Sequence, residues 1–340
     1  MKRGMKAGSK AGRCDIAILV DDEVGKRNVD GDFVLERGTM EWQVVQALVA
    51  QGRELSVLPF DPKITPTIDA LRVLRPRLVF NLTEWLAGDR RLDSAIAGVL
   101  DMMKLPYTGS GPDAMQIARD KALAKQVVAD LGVTVASHVL VNGRSPARGT
   151  LEFPVIVKPQ FGDGSDEIGN SALVRSESAL AARLTAIRGR RADTLMCEQF
   201  VAGRDLFVAL LGNEPRVMPP LELVIGRRGQ GAPRFATGRI KNDPGYRSRW
   251  RVRYRIARLP SQVDARVVEV SRRIFHALKL RDYARIDYRL TPANELVFLE
   301  ANPNPDLTRH TFGRDRCFAG VPYAEVISSI VEAALARSNR

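Results

Sequence analysis

The last strand that the sequence predicts ends in side chains that could do chemistry. In VFLEANPNPDL, residues 297–307, the apolar run VFL is followed by Glu300 and Asn302 at alternate positions. Carboxylate and amide oxygens are ligands that hard cations such as Mg²⁺ prefer. Two interpretations are open at this point: the strand has a polar exit, or the segment forms a cage for a ligand.

A second segment carries a carboxylate that could join this cage. In YARIDYRL, Arg285 and Asp287 alternate with apolar residues, which predicts a strand with one polar face. We expect it to pair antiparallel with LVFLEAN, in which Glu300 and Asn302 are expected to share a face with Phe298. Asp287, Glu300 and Asn302 would then converge on a site suited to Mg²⁺ that carries nucleotide phosphates. A single acid at a strand end is more often solvated, so the hypothesis depends on this convergence.

Two lysines and a glycine-rich loop could hold phosphates. Lys158 lies in the predicted strand FPVIVKP, and the loop QFGDGSDEIGN follows it, with Gly164 and Ser165 near its centre. Lys121 follows Asp120 in a predicted helix. A lone lysine is usually solvated, but an ammonium group beside loop amides forms an anion site because both direct positive charge at the phosphate.

The segment EQFVAGRD offers groups that could bind a nucleoside. Glu198, Gln199 and Val201 lie in a predicted hinge whose backbone could pair with an adenine edge. Asp205 lies seven residues after Glu198 and could reach ribose hydroxyls.

These segments need a scaffold that mixes helices and strands. DIAILV, ELSVLPF and RLVFNL are typical of buried strands, and MEWQVVQALVAQG has the apolar spacing of a helix. Strands that alternate with helices indicate a parallel sheet in a first α/β domain. GSGPDA, residues 109–114, loosely matches a dinucleotide-binding pattern but lacks a clear preceding strand, so we interpret it as a helix entry.

Composition and charge limit the classes of protein to which this chain can belong. The chain has 340 residues, which predicts two or three domains, and its three cysteines form no CxxC pair, which indicates a reducing cytoplasm. Of the net charge of +13, residues 1–14, a predicted basic disordered leader, contribute +5 and residues 226–258 contribute +10. The remainder is nearly neutral, so nucleic acid is not expected to be the partner, and no apolar run is long enough to predict a membrane span.

The order of these pieces resembles that of ATP-grasp enzymes, and of the D-alanine–D-alanine ligase family in particular. The resemblance is carried by VFNLTEW, LPYTGSGPDA, ARDKALAKQVVADLG, FPVIVKP, EQFVAGRDLFVALLGN, YARIDYRL and FLEANPNP, over roughly residues 77–310. It implies an ATP-grasp fold, α/β with an α+β C-terminal part, in three domains. These are a Rossmann-like N-terminal domain (15–112), a central domain with the glycine-rich loop (113–196) and a C-terminal domain with the metal site (197–340).

The resemblance implies a role for each candidate residue. Two Mg²⁺ ions, with Mn²⁺ as an alternative, would be held by Asp287, Glu300 and Asn302. The phosphates, adenine and ribose of ATP would be held by Lys121, Lys158, Gly164, Ser165, Glu198, Gln199, Val201, Asp205 and Lys241. The catalytic residues would be Arg285, which faces the reacting carboxyl group, Asn304 and Asp306.

These roles imply a cytoplasmic, ADP-forming carboxylate–amine ligase that acts on small molecules. A carboxylate attacks the γ-phosphate of ATP and becomes an acyl phosphate, and an amine then displaces the phosphate to form an amide. The resemblance is compatible with a homodimer and indicates no membrane partner.

Departures from the family pattern bear on the substrate. DDEVGKRNVDGDF stands in place of the N-terminal glycine-rich signature for the first D-alanine, and GSDE stands where paired serines are usual. Asp306 replaces a glycine near the acyl group. We therefore expect a substrate other than two D-alanines. Three alternatives stay open: a true D-alanine–D-alanine ligase of cell-wall synthesis, a degenerate nucleotide-binding protein, and a nucleic-acid-binding protein.

Five arginines recur at every second position in RSRWRVRYR, residues 247–255. If this segment is extended, all five lie on one face. Three interpretations are open: a solvated edge strand, a lid over an anionic substrate that carries several carboxylates or a phosphate, or a nucleic-acid contact.

Overall fold

The structure, a computed structural model, describes residues 14–86, 88–142, 149, 151–161, 169–188, 194–227, 229, 231–308 and 320–338. The predicted leader therefore lies outside the described residues except for Cys14. Among the helices in these ranges, none is long and apolar enough to cross a membrane.

The N-terminal part is a parallel sheet with helices packed against it. Its elements are β1 (Ile16–Val20), β2 (Gly25–Arg27), β3 (Phe33–Leu35), α1 (Met40–Ala50), β4 (Leu55–Pro59), α2 (Thr65–Leu74), β5 (Leu78–Asn81) and α3 (Asp93–Met102), with 3₁₀ turns at Asp22–Val24 and Arg90–Leu92. The strand order is β4–β1–β5, and β2 pairs with β3 in a separate hairpin. α1 begins after Thr39, whose side chain accepts a hydrogen bond from the Trp42 N–H, and buries Val44, Val45 and Leu48. The predicted parallel α/β arrangement is confirmed.

Two short helices lead into a small central sheet. The elements are α4 (Pro112–Arg119), α5 (Lys121–Asp130), β6 (His138–Val141), β7 (Val155–Pro159), β8 (Leu173–Val174), α6 (Glu177–Arg188) and β9 (Leu195–Gln199), with a 3₁₀ turn at Asn170–Ala172. The antiparallel order is β6–β9–β7–β8. α4 starts directly after GSG, so the predicted helix entry is confirmed. The domain boundaries stay a prediction, and β9 crosses the one placed between residues 196 and 197.

The C-terminal part is built on a large antiparallel sheet. Its elements are β10 (Arg204–Leu211), β11 (Arg216–Val217), β12 (Leu221–Ile225), α7 (Gly238–Asn242), α8 (Pro244–Trp250), β13 (Val252–Ile256), α9 (Ser261–Ala277), β14 (Tyr283–Leu290), β15 (Leu296–Asn302) and α10 (Tyr323–Ser338). The order is β13–β12–β10–β14–β15, and β11 pairs with β10. The predicted antiparallel pairing of YARIDYRL with LVFLEAN is confirmed.

The two faces of the large sheet have different neighbours. Leu206, Val208 and Ile286 point into a core that α5 and α9 complete. Phe207 and Ala209, which alternate with them, join a second core with α1, α10 and the parallel sheet. Asp205 and Asp287, two polar residues of the predicted site, lie on this second face of the large sheet, the face of Phe207.

The premise that residues 247–255 are extended, with five arginines on one face, is wrong. Arg247 and Arg249 lie in α8, and Arg251 follows it with a φ of 50°, so that only Arg253 and Arg255 lie on β13. Two buried aromatic side chains four positions apart pack on one side of α8, with ring centroids 6.2 Å apart. Their burial at helical spacing outweighs the period-two pattern of the arginines.

A buried carboxylate ties the N-terminal part to the large sheet. Asp282 is 0% exposed, accepts a hydrogen bond from the Gly109 N–H at 2.8 Å and forms an ion pair with Arg337 of α10 at 3.0 Å. Asn213 also donates to it, at 3.1 Å. Three distant segments therefore meet at one side chain, which fixes the GSG loop against the start of β14.

We predict that Asp282→Asn lowers the free energy of unfolding by about 3 kcal/mol, because it removes the charge from a buried pair and leaves Arg337 unmatched. Chemical denaturation measures this loss. Glu325→Gln is the control, since Glu325 and Arg216 are half-exposed and 3.9 Å apart, and it should cost less than about 1 kcal/mol. Equal losses in the two variants would contradict the assigned role of Asp282.

Candidate active site

A β-bulge between β14 and β15 brings two of the predicted metal ligands, Asp287 and Glu300, to one face of the large sheet. Asp287 lies opposite Glu300, but the next residue, Tyr288, lies opposite Phe298, so Leu299 is the extra residue of the bulge. An extra residue shifts the alternation by one. Glu300 therefore faces the same side as Asp287, and Phe298 faces the opposite core. The prediction that Phe298 shares the face of Glu300 is wrong for this reason.

Arg285 holds Asp287 at two points. Its Nε lies 2.6 Å from Oδ1 and its Nη2 lies 2.9 Å from Oδ2. The guanidinium carbon also lies 5.6 Å from the centroid of the Phe207 ring. A two-point ion pair fixes the plane of the carboxylate as well as its position.

Asp287, Glu300 and Asn302 fit a magnesium ion as a donor set. In the described ranges no three His, Cys, Asp or Glu side chains group into a metal site, and the predicted set consists of two carboxylates and the amide of Asn302. The Nδ2 of Asn302 is buried without a hydrogen-bond partner, an orphaned donor that a phosphate oxygen beside the metal would satisfy. Mg²⁺ in such sites takes one or two carboxylates together with water and substrate phosphates.

Glu198 on β9 is buried between two lysines. The Nζ of Lys158 lies 3.1 Å from its carboxylate and the Nζ of Lys125 lies 3.0 Å from it. Lys125 is 0% exposed and also donates to the backbone oxygen of Phe298. Burial alone raises the pKa of Glu198, but attraction to the two lysines outweighs burial and holds this pKa below its usual value. Lys125 is not among the residues predicted from the sequence, because a lysine one turn after Lys121 has the pattern of a solvated helix residue.

The start of α5 is bound to the end of β7. This contact brings Lys121 and Lys158, the two lysines that are predicted to hold phosphates, into one region. The Lys121 N–H donates to the backbone oxygen of Gln160 at 3.2 Å, and the Gln160 side chain donates to Asp120 at 2.9 Å. Lys121 and Lys158 are both buried.

The predicted adenine hinge is held from both sides. The Gln199 N–H donates to the Ser137 oxygen at 2.9 Å, and the Phe200 N–H donates to the Pro154 oxygen at 2.8 Å. Val201 follows just beyond β9. The hinge therefore has a fixed backbone, while its predicted contacts with adenine stay a prediction.

Asp205, predicted to bind ribose, forms an ion pair with Arg289 on the neighbouring strand. The Nη1 of Arg289 lies 2.9 Å from the Oδ1 of Asp205, and both residues are buried. Arg289 is not among the residues predicted from the sequence, although it continues the polar alternation of Arg285 and Asp287.

Asn304 supports the GSG loop. Its Oδ1 accepts a hydrogen bond from the Ser110 N–H at 2.9 Å. Gly109 has a φ of 90°, and a Cβ at that position would collide with the side chain of Asn304. These contacts favour a positioning role, and the catalytic role of Asn304 stays a prediction.

Asp306 lies near other carboxylates. The neighbouring Leu307 N–H contacts the Sδ of Met40 at 3.1 Å, at the start of α1. Burial raises the pKa of Glu41, and Asp306 adds to this shift. Burial raises the pKa of Asp21 to about 6, with further contributions from nearby carboxylates that include Glu41. This end of the site is therefore acidic.

Three predicted ATP contacts cannot be placed. Gly164 and Ser165 lie outside the described residues, and so does the side chain of Lys241, whose backbone lies in α7.

A small sheet that carries Lys158 and Glu198, set against a large sheet that carries Asp287 and Glu300, defines the ATP-grasp class of ATP-dependent ligases. The comparisons agree. The family model described as "D-ala D-ala ligase C-terminus" matches residues 134–332. The D-alanine–D-alanine ligase of Caulobacter vibrioides is 31% identical over 297 residues, which cover 86% of each chain. The chain therefore belongs to the D-alanine–D-alanine ligase family.

Solved structures agree on the fold. The D-alanine–D-alanine ligase from Bacillus anthracis, crystallised with ATP, matches with a TM-score of 0.71 and 16% identity, over 96% of this chain and 99% of that one. The VanG D-Ala:D-Ser ligase from Enterococcus faecalis matches with a TM-score of 0.67 and 16% identity, over 95% of this chain and 100% of that one. The predicted ATP-grasp fold is confirmed.

We predict that Asp287→Asn and Glu300→Gln each lower the rate of ADP formation by about 100-fold or more, because each removes an anionic metal ligand and keeps its shape. A coupled ADP assay with circular dichroism measures rate and fold together. Glu269→Gln is the control, since that side chain pairs with Arg273 on the surface of α9. Full activity in both site variants would refute the metal assignment.

We predict that Lys125→Met lowers the free energy of unfolding at pH 7 by about 3 kcal/mol, because Glu198 keeps only one of its two buried cations. The lowered pKa of Glu198 stabilises the folded state above the unfolded value of 4.5, and this gain is lost as the pH falls. The variant should therefore gain less stability than the wild type as the pH rises through this range. Arg72→Met, which breaks an exposed pair with Asp69, is the control; the same pH dependence in both variants would contradict the prediction.

Proposed function

We propose that this protein joins two amino-acid-like substrates that are not both D-alanine. Membership of the family makes it a D-alanine–D-alanine ligase-like, ATP-dependent C–N ligase; the substrate pair is the part that we propose. The observation that carries the proposal is Asp306, a carboxylate that follows the metal-type donors and lies close to Glu41. An anion there favours a substrate that carries a further cationic group besides its reacting carboxylate, a group that D-alanine lacks.

The described contacts support separate roles for the following residues in binding the phosphates, ribose and adenine of ATP. Lys121 and Lys158 would hold phosphates, and Asp205 would accept hydrogen bonds from ribose. Glu198 would meet the adenine amino group through the hinge side of β9. Lys158 is shared with Glu198 in this structure, and Lys125 would keep Glu198 neutralised when Lys158 turns to the phosphates.

Asp287, Glu300 and Asn302 would hold Mg²⁺, and we propose two ions, with Mn²⁺ as an alternative. Bound cations would neutralise the charge of the phosphates there. Arg285 lies beside this donor set, where its guanidinium would stabilise the charge of the tetrahedral intermediate at the substrate carbonyl.

The reaction that this arrangement supports has two steps. A substrate carboxylate oxygen attacks the γ-phosphorus, ADP leaves, and an acyl phosphate forms. The neutral amine of the second substrate then attacks the acyl carbon, the C–O bond to phosphate breaks, and the proton lost by nitrogen leaves the site. The residues mainly position the reactants and stabilise charge.

The charges at the substrate end favour an ammonium group over an anionic substrate. The predicted arginine lid loses its premise, because only two of the five arginines lie on β13 and one of them, Arg255, pairs with Glu222 at 3.1 Å. Asp21, Glu41 and Asp306 would instead attract a second ammonium group, such as the side-chain group of a diamino acid. A homodimer and a cytoplasmic location stay predictions.

A true D-alanine–D-alanine ligase is the second candidate, favoured by the names of relatives at about 30% identity.

We predict that D-alanine alone supports less than about a tenth of the ADP formation reached with the best pair from a panel of D- and L-amino acids, including diamino acids. Mass spectrometry of the products identifies the amide. Efficient formation of D-alanyl-D-alanine would refute the proposed substrate and establish the second candidate.

A further inference from the structure

Arg289 is a buried arginine at the predicted ribose position. It lies on β14 two residues after Asp287 and opposite Asp205 on β10, so that all three side chains share one face. Arg289 is 4% exposed, and its Nη1 is 2.9 Å from the Oδ1 of Asp205.

The guanidinium has hydrogen-bonding capacity beyond this ion pair. Its Nε is buried without a hydrogen-bond partner. Arg289 lines the same cavity as Lys158, Glu198 and Asp205, and its guanidinium carbon lies 5.7 Å from the centroid of the Phe200 ring. A buried donor without an acceptor costs free energy, so this arrangement is favoured when a ligand in the cavity supplies an oxygen.

We infer that Arg289 makes the site selective for the ribose of the nucleotide, an inference that rests on the proposed binding of ATP. Its guanidinium fixes the carboxylate of Asp205, which accepts a hydrogen bond from a ribose hydroxyl. The same guanidinium donates to the oxygen of the 2′-hydroxyl. Arg289 is thus a positioning residue for Asp205 and a specificity residue for the sugar.

The physical basis is the cost of unpaired buried groups. A hydroxyl at C2′ can donate to one group and accept from another, whereas 2′-deoxyribose can do neither. Sites built to hydrogen-bond a hydroxyl reject the analogue that lacks it because their own polar groups lose a partner. Lysine could neutralise Asp205, but it lacks the planar fork that holds a carboxylate and a second acceptor together.

The test measures the affinities for Mg–ATP and Mg–2′-deoxyATP by calorimetry, with no amino acid present. The wild type should bind ATP about tenfold or more tightly than the deoxy analogue. Arg289→Met should bring the two affinities to within about twofold of each other, mainly by weakening ATP, and Arg289→Lys should give an intermediate ratio.

Arg204→Met is the matched control. Arg204 lies next to Asp205 on β10 but on the opposite face, where it pairs with Glu222 at 2.8 Å. It should leave the ratio of the two affinities as in the wild type. Thermal unfolding of each variant shows whether the fold is kept; if Arg289→Met does not fold, Arg289→Lys decides on the same ratio.

The outcomes separate this inference from the proposed reaction. Equal weakening of both nucleotides in the Arg289 variants shows a purely structural role and overturns the inference, as does a wild type that does not discriminate. Selective binding of ATP that depends on Arg289, together with no amide product in the separate assay with the amino-acid panel, supports the inference and contradicts the proposed reaction. A folded wild type that binds neither nucleotide overturns both.

Discussion

Buried carboxylates need compensating positive charge, and the candidate active site is organised around that constraint. Glu198 is held by Lys125 and Lys158, and Asp287 is held by Arg285. An acid taken out of water without such a partner would be protonated or would destabilise the fold. The protein therefore provides its own cations at the positions where a nucleotide and its metal ions would bring further charge.

This pairing gives the site two kinds of cation. Lys125 of α5 is 0% exposed and contacts Glu198 on β9 and the Phe298 oxygen on β15, so it acts as a counter-charge inside the protein. Lys158 lines the cavity and, in the proposed function, would exchange Glu198 for a phosphate. Glu198 would then keep Lys125 as its second partner.

The site also depends on contacts between distant parts of the chain. Asp282 fixes the GSG loop to the start of β14, and Asn304 fixes the same loop to the segment after β15. Both contacts are made by backbone N–H groups of the loop, and the Ser110 hydroxyl adds a bond to the Pro303 oxygen and one from the Arg281 N–H. The N-terminal part thereby closes the end of the candidate site where we propose that the substrates bind.

The sequence by itself determined the order of the elements and most of the polar residues of the site. The apolar run of DIAILV, the alternation in YARIDYRL and the carboxylate that interrupts LVFLEAN follow from local rules of burial and pleating, which is why the strands and the Asp287–Glu300 pairing could be predicted. Only the tertiary structure decided which face each group takes and which partner neutralises it. The bulge at Leu299 reverses the face of Phe298, the burial of Tyr246 and Trp250 makes a helix of the arginine ladder, and Lys125 and Arg289 become partners of Glu198 and Asp205. These outcomes depend on packing between segments far apart in the chain, where the cost of leaving a charge or an aromatic ring without its partner exceeds the local preference.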